Sequence, residues 1–281
     1  MKSESSYSFC EEGSQFRAIP LYHMERLIGR STFPDRKMIA LEEDPDRVAD
    51  ILIEEDLNEF CWSLYFDPNF LIRLFYSGFL PICSDLGPPG DPVYCLLPKL
   101  HLERSVIDMS KFQISEKKMK KFKGYLLSSD KNFSRVLDSC LNHHRDHCWL
   151  YPPLRNSLQF INSHPHKGLS VQVHSIELSD PIDGRIVAGE IGYTVGTIYT
   201  SMTGFHSESG AGSAQLAALG LWLKLKGFDL WDLGMDLAYK RELGAELLSR
   251  VEWISKVRTL RKSVPREETL RGEIFLHHLF S

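Results

Sequence analysis

Asp232 is the residue whose position most invites chemistry, because an acid stands there between Trp231 and Leu233 in an apolar run. Residues 228–233 predict a short strand, and Asp232 falls near its carboxyl end. Carboxylates at strand ends are common in functional sites. The same carboxylate can instead cap backbone N–H groups of the next segment, and the residues alone leave both interpretations open.

Five potential metal ligands fall within nine residues, namely Cys140, His143, His144, His147 and Cys148. Thiolate and imidazole groups at such spacings can hold zinc. Cys140, however, lies on the apolar face of a predicted helix, and no second ligand pair of matching type follows. We therefore interpret this run as the end of a structural helix with solvated histidines, and we predict no metal site.

A loop of small residues at 207–213 leads into a helix that is apolar on almost all sides. Small side chains allow backbone N–H groups to approach an anion at a helix N-terminus. Acetyltransferases of the Gcn5-related class place a pyrophosphate in such a loop, so a coenzyme A acyltransferase is one candidate function. A glycine-rich connection between a hairpin and a helix also needs no ligand.

Charge is segregated along the chain although the formal net charge is only −4. Residues 41–59 carry nine acids and one base, a pattern typical of a solvated helix face. Residues 99–123 carry eight bases and three acids. That stretch is either a solvated surface or a binding surface for the phosphates of a polyanion.

Composition indicates an ordinary globular protein, with 43% hydrophobic and 25% charged residues in 281. The six cysteines are scattered and form no C-x-x-C pair, which is typical of reduced intracellular thiols. The polar, acidic start at residues 1–17 predicts no secretory signal. The apolar segment 70–83 is too short to span a bilayer and contains Arg73. We therefore expect a cytoplasmic protein with no membrane partner.

Local signals place the first elements that must position these residues. Asp67 and Pro68 predict the start of a helix, and Gly78 predicts its end. Residues 185–205 predict a hairpin whose turn lies around residues 196–197.

The following segments predict further helices. Ser213 is expected to cap a buried helix over residues 214–225, and residues 239–248 are expected to form the final helix. Strands joined mostly by hairpins and packed with several helices indicate an α+β fold with a mixed sheet.

Several motifs occur in the order found in the leucyl/phenylalanyl-tRNA–protein transferases, and the chain resembles that family from about residue 62 to residue 254. The strand motif HSIE at 174–177 is the most specific match, and Asp232 occupies the family aspartate. The other matching elements are DP (67–68), YSGFLP (76–81), GDP (90–92), LHLERS (100–105), Trp149, SM (201–202) and LGA (243–245).

The resemblance implies a small N-terminal α+β domain at residues 1–110. It also implies a Gcn5-related acetyltransferase-like domain with a mixed sheet flanked by helices at 111–262, followed by a tail at 263–281. The implied activity is transfer of leucine or phenylalanine from aminoacyl-tRNA to the N-terminus of an acceptor protein, which marks that protein for degradation. No cofactor is implied, and a monomer is expected.

The resemblance also assigns site residues. Asp232 is implied as the catalytic group that orients the incoming α-amino group. The implied substrate-binding residues are Trp149, Thr200, Ser201, Met202, Trp231 and Gly234. With aminoacyl-tRNA as the substrate, the basic stretch becomes a candidate tRNA surface through Lys117, Lys118, Lys120 and Lys121.

Departures from the family pattern favour an alternative function. Gly234 replaces the family glutamine two residues after the aspartate, and Cys95 and Leu96 replace its paired tryptophans. The family glutamate falls on Thr200. The alternative is therefore a catalytically silent relative that binds tRNA or protein N-termini, since a fold is retained more readily than an activity.

Overall fold

The computed structural model describes Phe33 and residues 36–55, 58–166, 168–266 and 270–280, without the side chains of residues 116, 118, 119, 146 and 280. Residues 1–17, on which the expectation of no secretory signal rests, lie outside the described residues. The elements below all belong to the compact unit Arg36–Ser281. Within the described ranges, no helix has the length and apolar character needed to cross a bilayer.

Helices and strands alternate through most of the unit. The helices are α1 (Pro45–Glu55), α2 (Pro68–Tyr76), α3 (Phe133–His144), α4 (Pro152–Ser163), α5 (Ala211–Lys226), α6 (Ala238–Glu242) and α7 (Arg250–Leu260). The strands are β1 (Leu80–Asp85), β2 (Tyr94–Lys99), β3 (Glu103–Asp108), β4 (Leu126–Ser129), β5 (Val171–Ser179), β6 (Ile186–Val195), β7 (Ile198–His206), β8 (Leu230–Gly234), β9 (Glu246–Ser249) and β10 (Gly272–Phe275). Short 3-10 helices cover Glu116–Phe122, Arg145–His147 and Leu276–Phe280.

Eight strands form one sheet in the order β10-β4-β5-β6-β7-β8-β3-β9, while β1 and β2 form a separate antiparallel pair. Within the larger sheet, β7 and β8 pair in parallel and the other described neighbours pair antiparallel. The predicted α+β class with a large mixed sheet flanked by helices is therefore confirmed.

Each face of the larger sheet packs against a different hydrophobic cluster. On one face, side chains of α1, α2, α3, α4 and α7 pack together with strand residues such as Val173 and Ile191. On the other face, α5 packs with residues such as Ile176 and Trp231. Because successive strand residues point to opposite faces, neighbouring residues of one strand serve the two clusters separately.

Helix α2 follows its local signals. The Asp67 carboxylate accepts a hydrogen bond from the backbone N–H of Phe70 at 3.0 Å, and Pro68 occupies the first turn. Gly78 follows the helix with φ +85°, and a Cβ there would lie 3.0 Å from Nε1 of Trp253 in α7. The predicted start and end are confirmed, and Gly78 also allows α7 to pack closely.

Helix α5 begins two residues before the predicted cap. Gly210 precedes the helix in the left-handed region at φ +84°, and the helix already includes Ser213. The expectation that Ser213 caps α5 was wrong. Gly210 stands before the helix instead, because glycine can adopt the left-handed backbone conformation found there at no steric cost. Gly227 ends the helix at φ +82°, and the β6–β7 hairpin turns at Gly196, both as predicted.

The predicted final helix over residues 239–248 was also wrong. Helix α6 ends at Glu242, Gly244 adopts φ +99°, and β9 then forms against β3. Ser249 and Glu252 form a capping box that starts α7. Strand β9 at the edge of the sheet therefore interrupts the segment for which helix propensity predicts one continuous helix, and a new helix, α7, starts after it.

Strand β3 lies before the predicted domain boundary at residue 110. It pairs with β8 on one side and with β9 on the other, so it is an inner strand of the eight-stranded sheet. The division into segments 1–110, 111–262 and 263–281 stays a prediction.

Candidate active site

Asp232 lies where three strands of the larger sheet meet. It is on β8, in register with Thr200 of the parallel strand β7 and with Val106 of the antiparallel strand β3. Its side chain is fully buried. Two residues later, Gly234 adopts φ +74°, and no atom lies within 4 Å of where a Cβ would stand. There is therefore open space beside Gly234 at the carboxyl end of β8.

Arg104 of β3 holds the Asp232 carboxylate in a bidentate ion pair. Arg104 Nε donates to Asp232 Oδ1 at 2.9 Å, and Arg104 Nη2 donates to Oδ2 at 2.8 Å. The Gly234 backbone N–H also donates to Oδ1, at 2.8 Å. Asp232 thus accepts a hydrogen bond from the backbone at the end of β8, as the capping interpretation predicts, and it also pairs with a cation. Its role in a functional site stays a prediction.

His101 is a second polar partner of Arg104. Arg104 Nη1 donates to His101 Nδ1 at 2.6 Å. Burial, with the positive charge of Arg104, lowers the pKa of His101 to about 2, so the ring is neutral and can accept this bond. Burial alone would lower the pKa of Arg104, but Asp232 outweighs it and the pKa is raised. The guanidinium also lies 4.9 Å from the ring centroid of Trp253.

A second buried acid, Glu190, lies on β6, which is separated from the Asp232 strand β8 by β7, and it is part of a hydrogen-bond network. Its Oε1 accepts from Tyr199 Oη at 2.9 Å and from Ser201 Oγ at 2.6 Å, and its Oε2 accepts from Gln215 Nε2 at 3.2 Å. Burial raises the pKa of Glu190, although these three hydrogen bonds each act to lower it. The network fixes Ser201 beside the predicted substrate residue Met202.

Trp231 and Asp232 face opposite sides of the sheet. The Trp231 indole is fully buried against α5, where a Cβ on Gly220 would meet it at 2.8 Å. Its Nε1 donates to Ser201 Oγ at 3.0 Å. The indole therefore does not occupy the space on the Asp232 side of β8.

Trp149 and Met202 are partly buried and pack against the cluster formed by α1, α2, α3, α4 and α7. Thr200 is buried beside Asp232. The structure thus brings Thr200, Asp232 and Gly234 together and places Ser201 and Trp231 in the Glu190 network. The roles assigned to these residues stay predictions.

A family model described as leucyl/phenylalanyl-tRNA protein transferase matches residues 106–258, slightly more than half of the chain. The chain belongs to this family. The match includes Asp232 and the Glu190 network, whereas Arg104 and His101 lie just before it.

Curated relatives of the same name extend the similarity. The leucyl/phenylalanyl-tRNA–protein transferase of Hydrogenovibrio crunogenus is 26% identical over 210 residues, covering 72% of this chain and 76% of that protein. The transferase of Nitrosospira multiformis is 27% identical over 204 residues, covering 72% of this chain and 82% of that protein.

Solved structures give weaker likenesses. A crystal structure of FemX has a TM-score of 0.41 at 9% identity and covers 72% of this chain and 73% of that one. The C-terminal domain of a putative lysylphosphatidylglycerol synthetase from Agrobacterium fabrum has a TM-score of 0.38 at 12% identity and covers 81% and 80%.

The predicted tRNA-binding lysines lie on the 3-10 helix Glu116–Phe122. Lys117, Lys120 and Lys121 are exposed, while the side chain of Lys118 is outside the described atoms. Lys121 Nζ lies 3.5 Å from the Ser209 carbonyl oxygen, within the 207–213 loop that leads into α5. Lys121 therefore contacts the loop that follows the carboxyl end of β7.

The histidine and cysteine run at residues 140–148 ends α3, and Cys140 is buried in the core. The His143 ring lies 5.1 Å from the rings of both His144 and His206. Among the described residues, no group of three or more His, Cys, Asp or Glu side chains is placed to hold a metal ion.

Sequence reasoning missed the partner of Asp232 and the acid of the second network. Arg104 lies between Glu103 and Ser105 at the start of β3, where nothing local marks it as buried, whereas Glu190 interrupts the apolar hairpin of residues 185–205. At Glu190, an acid inside an otherwise apolar strand is the signal for buried polar partners, because burying it without them is costly.

Proposed function

We propose that the protein transfers leucine or phenylalanine from aminoacyl-tRNA to the N-terminus of an acceptor protein. Membership of the transferase family over residues 106–258, which contain Asp232, is the observation that carries this proposal. The acceptor is proposed to be marked for degradation by the transfer. A cytoplasmic location, a monomeric state and the absence of a cofactor complete the proposal.

The reaction needs little activation of the donor, because the aminoacyl ester is already reactive. The acceptor α-amino nitrogen attacks the ester carbonyl carbon and forms an amide. The bond between that carbon and the ribose oxygen breaks, and the ribose oxygen takes up a proton as the amine loses one. The enzyme must therefore hold a neutral amine against the carbonyl in the right orientation.

Asp232 is proposed to orient the amine through its Oδ2 atom. Oδ1 already accepts two hydrogen bonds, from Arg104 and from Gly234, whereas Oδ2 accepts one. A carboxylate oxygen can accept two, so Oδ2 retains a position for an amine N–H. Because Asp232 is fully buried, the proposal requires the covering side chains to move when substrates bind.

The donor site is proposed to lie between Asp232 and the side chains of Trp149 and Met202. Trp149 can stack the terminal adenosine, a contact that contributes roughly 1–3 kcal/mol. Met202 and Thr200 are proposed to contact the aminoacyl group, with Ser201 and Trp231 fixing β7 from the opposite face. Gly234 leaves the space in which family members carry glutamine.

The fold is proposed to be acetyltransferase-like, with a smaller N-terminal domain. The parallel pairing of β7 with β8 and the loop of residues 207–213 after β7 support the first part. In this proposal the donor substrate is aminoacyl-tRNA. A coenzyme A acyltransferase would use acetyl-coenzyme A as its donor instead, and the thermal stabilisation test below distinguishes the two.

The lysines of the 3-10 helix are proposed to bind the tRNA backbone. Lys117, Lys120 and Lys121 project from one exposed segment, and Lys118 belongs to the same segment. Clustered exposed lysines release counterions from phosphates, which makes the affinity depend steeply on salt.

Replacing Lys117, Lys120 and Lys121 with alanine is expected to raise the Kd for tRNA and flatten its salt dependence. For each phosphate that the variant no longer neutralises, the slope of log Kd against log salt should fall by about 0.7 to 0.9. Filter binding of uncharged tRNA over a series of salt concentrations measures both quantities.

A second triple variant, Lys131, Lys256 and Lys262 to alanine, removes the same charge from exposed positions outside that segment. This variant is expected to keep most of the slope of log Kd against log salt. Equal slopes for the two triple variants would show that the 3-10 helix does not contact tRNA.

The proposed function is tested by a transfer assay with the purified chain. tRNA charged with labelled leucine or phenylalanine is mixed with peptides that differ only in their N-terminal residue, and label in the peptide is counted. Transfer is expected for at least one peptide. Binding of charged tRNA without transfer to any peptide supports the silent relative, while thermal stabilisation by acetyl-coenzyme A alone supports the coenzyme A enzyme.

A further inference from the structure

A cavity of about 390 Å³ lies where α3 ends and α4 begins. Its walls come from the end of α3, from the connecting segment and from the first turn of α4. The lining side chains that matter below are those of Arg145, Cys148, Leu150, Tyr151 and Arg155. The volume is within the range of natural ligand pockets, and the transfer reaction proposed above gives none of these residues a role.

The cavity adjoins the residue proposed to stack the terminal adenosine of the tRNA. Cys148 and Leu150 both line the cavity, and Trp149 is the residue between them. The nucleotide that precedes the adenosine is joined to it by a single phosphodiester. A cavity next to Trp149 is therefore within reach of that nucleotide.

The cavity also lies towards the end of the sheet that holds Asp232. His144, in the last turn of α3, donates a hydrogen bond from Nε2 to the Gly204 carbonyl oxygen of β7 at 2.9 Å. Gly204 follows Thr200, the register partner of Asp232, by four residues, which is roughly 10–13 Å along the strand. Arg145 directly follows α3, so this wall of the cavity stands beyond the carboxyl end of β8.

Two arginines make the cavity favourable for a phosphate. The Arg145 side chain is exposed and has no hydrogen-bond or ion-pair partner among the described residues. Arg155 Nη2 donates to the half-exposed Asp138 at 2.6 Å, while its Nε is buried without an acceptor in the described part of the chain. No aspartate or glutamate occurs among the described residues that line the cavity. Guanidinium groups with unused N–H donors match the geometry of phosphate oxygens.

The backbone of Arg145 is strained. It adopts φ +47° and ψ −124°, a region that residues other than glycine enter at a cost. The end of α5 shows the usual solution, since Gly227 adopts the left-handed conformation there. Strain of this kind clusters at ligand sites, so the conformation of Arg145 supports a binding role for this wall of the cavity.

Tyr151 gives the cavity an aromatic surface. Its ring is half-buried, and its centroid lies 5.3 Å from that of the Tyr94 ring at an angle of 41° between the planes. Tyr94 directly precedes Cys95 and Leu96, which stand in place of the paired tryptophans of the family. A ring held from one side by a second ring is suited to stack a nucleic-acid base.

We propose that this cavity binds the cytidine nucleotide that precedes the terminal adenosine of the tRNA. Arg145 and Arg155 bind the phosphate that joins the two nucleotides, and Tyr151 stacks the cytosine. The identity of this ligand rests on the proposed function. The site extends the contact with tRNA from the adenosine on Trp149 to a second nucleotide.

Three probes test the site, namely the dinucleotide cytidylyl-adenosine (CpA), adenosine and cytidine 3′-monophosphate. Isothermal titration of the full chain is expected to give a Kd for CpA at least about tenfold below that for adenosine, because CpA adds a phosphate and a stacked base. Cytidine 3′-monophosphate should bind more weakly than CpA, because it lacks the adenine that contacts Trp149. Equal Kd values for CpA and adenosine, or no binding of CpA at about 10 mM, would overturn the proposal. Cytidine 3′-monophosphate that binds as tightly as CpA would overturn it too, since the cavity would then hold a free nucleotide.

Variants localise the binding of CpA. Arg145→Gln should raise its Kd about fivefold or more, whereas Arg135→Gln, which removes the same charge from an exposed position of α3, should change it less than about twofold. Tyr151→Leu removes the ring and should raise the Kd about fivefold or more, while Tyr151→Phe keeps the ring and the affinity. Circular dichroism checks the fold of each variant. Similar CpA affinities within either pair of variants would contradict the assigned contacts.

The titration and the transfer assay answer separate questions. Transfer by a protein that binds CpA no more tightly than adenosine would leave the proposed function standing and remove this site. Binding of CpA that depends on Arg145 and Tyr151, in a protein that transfers to no peptide, would keep this site and remove the enzymatic function.

Discussion

Replacing Asp232 with asparagine is expected to lower kcat/KM for aminoacyl transfer by about 100-fold or more. The carboxylate has three hydrogen-bond acceptor positions filled and one left at Oδ2. Asparagine places an NH₂ group in the position of one oxygen, so it must give up either a bond from Arg104 or the position for the amine. Initial rates at saturating charged tRNA and varied acceptor peptide measure the effect.

A neighbouring variant separates a site effect from a general loss of negative charge. Asp236→Asn makes the same change four residues later, in a carboxylate that pairs with the exposed Arg241. Its kcat/KM is expected to stay within about twofold of the original protein. Both variants are assayed below their thermal unfolding temperatures. If the two variants retain similar activity, Asp232 does not orient the amine.

Replacing Arg104 with methionine is expected to lower the free energy of unfolding by about 3–5 kcal/mol. Both side chains of the pair are fully buried, so the variant leaves the Asp232 carboxylate without its cation in a dry environment. His101 also loses the donor to its Nδ1. Urea unfolding followed by circular dichroism measures the change, and the midpoint should fall while the slope stays similar.

The double variant Arg104→Met with Asp232→Leu tests the cause of that loss. An apolar pair of similar size removes both charges, and such replacements are often neutral or stabilising. The double variant should therefore recover most of the stability that Arg104→Met loses. A double variant as unstable as the two single changes added together would contradict this explanation. Lys131→Met, in the half-exposed pair with Glu273, should cost only about 0–1 kcal/mol.

Features governed by short stretches of sequence were predictable. The start of α2 depends on Asp67 and Pro68, and the β6–β7 turn depends on Gly196, all within a few residues of the structure they specify. The α+β class followed from the alternation of such segments. Asp232 was identified as unusual because its local surroundings are apolar.

Features that depend on distant partners were not predictable in the same way. No local pattern states that Asp232 meets Arg104, because the two residues are 128 positions apart. The strand that follows the turn at Gly244 also depends on β9 pairing with β3, a contact that propensity over residues 239–248 does not contain. Gly210, and not the predicted Ser213, precedes α5, because a left-handed glycine and a capping side chain are alternative ways to begin a helix.

The position of β3 between β8 and β9 has a consequence for the order of events during synthesis. Arg104 leaves the ribosome long before Asp232, and at about 5–20 residues per second the delay is roughly 6 to 26 seconds. During that interval the β3 segment has neither of its strand neighbours, and its arginine has no carboxylate to bind. A nascent chain that stops before residue 230 therefore carries an unpaired strand with an unpartnered cation near its start, which is a state suited to recognition by chaperones or proteases.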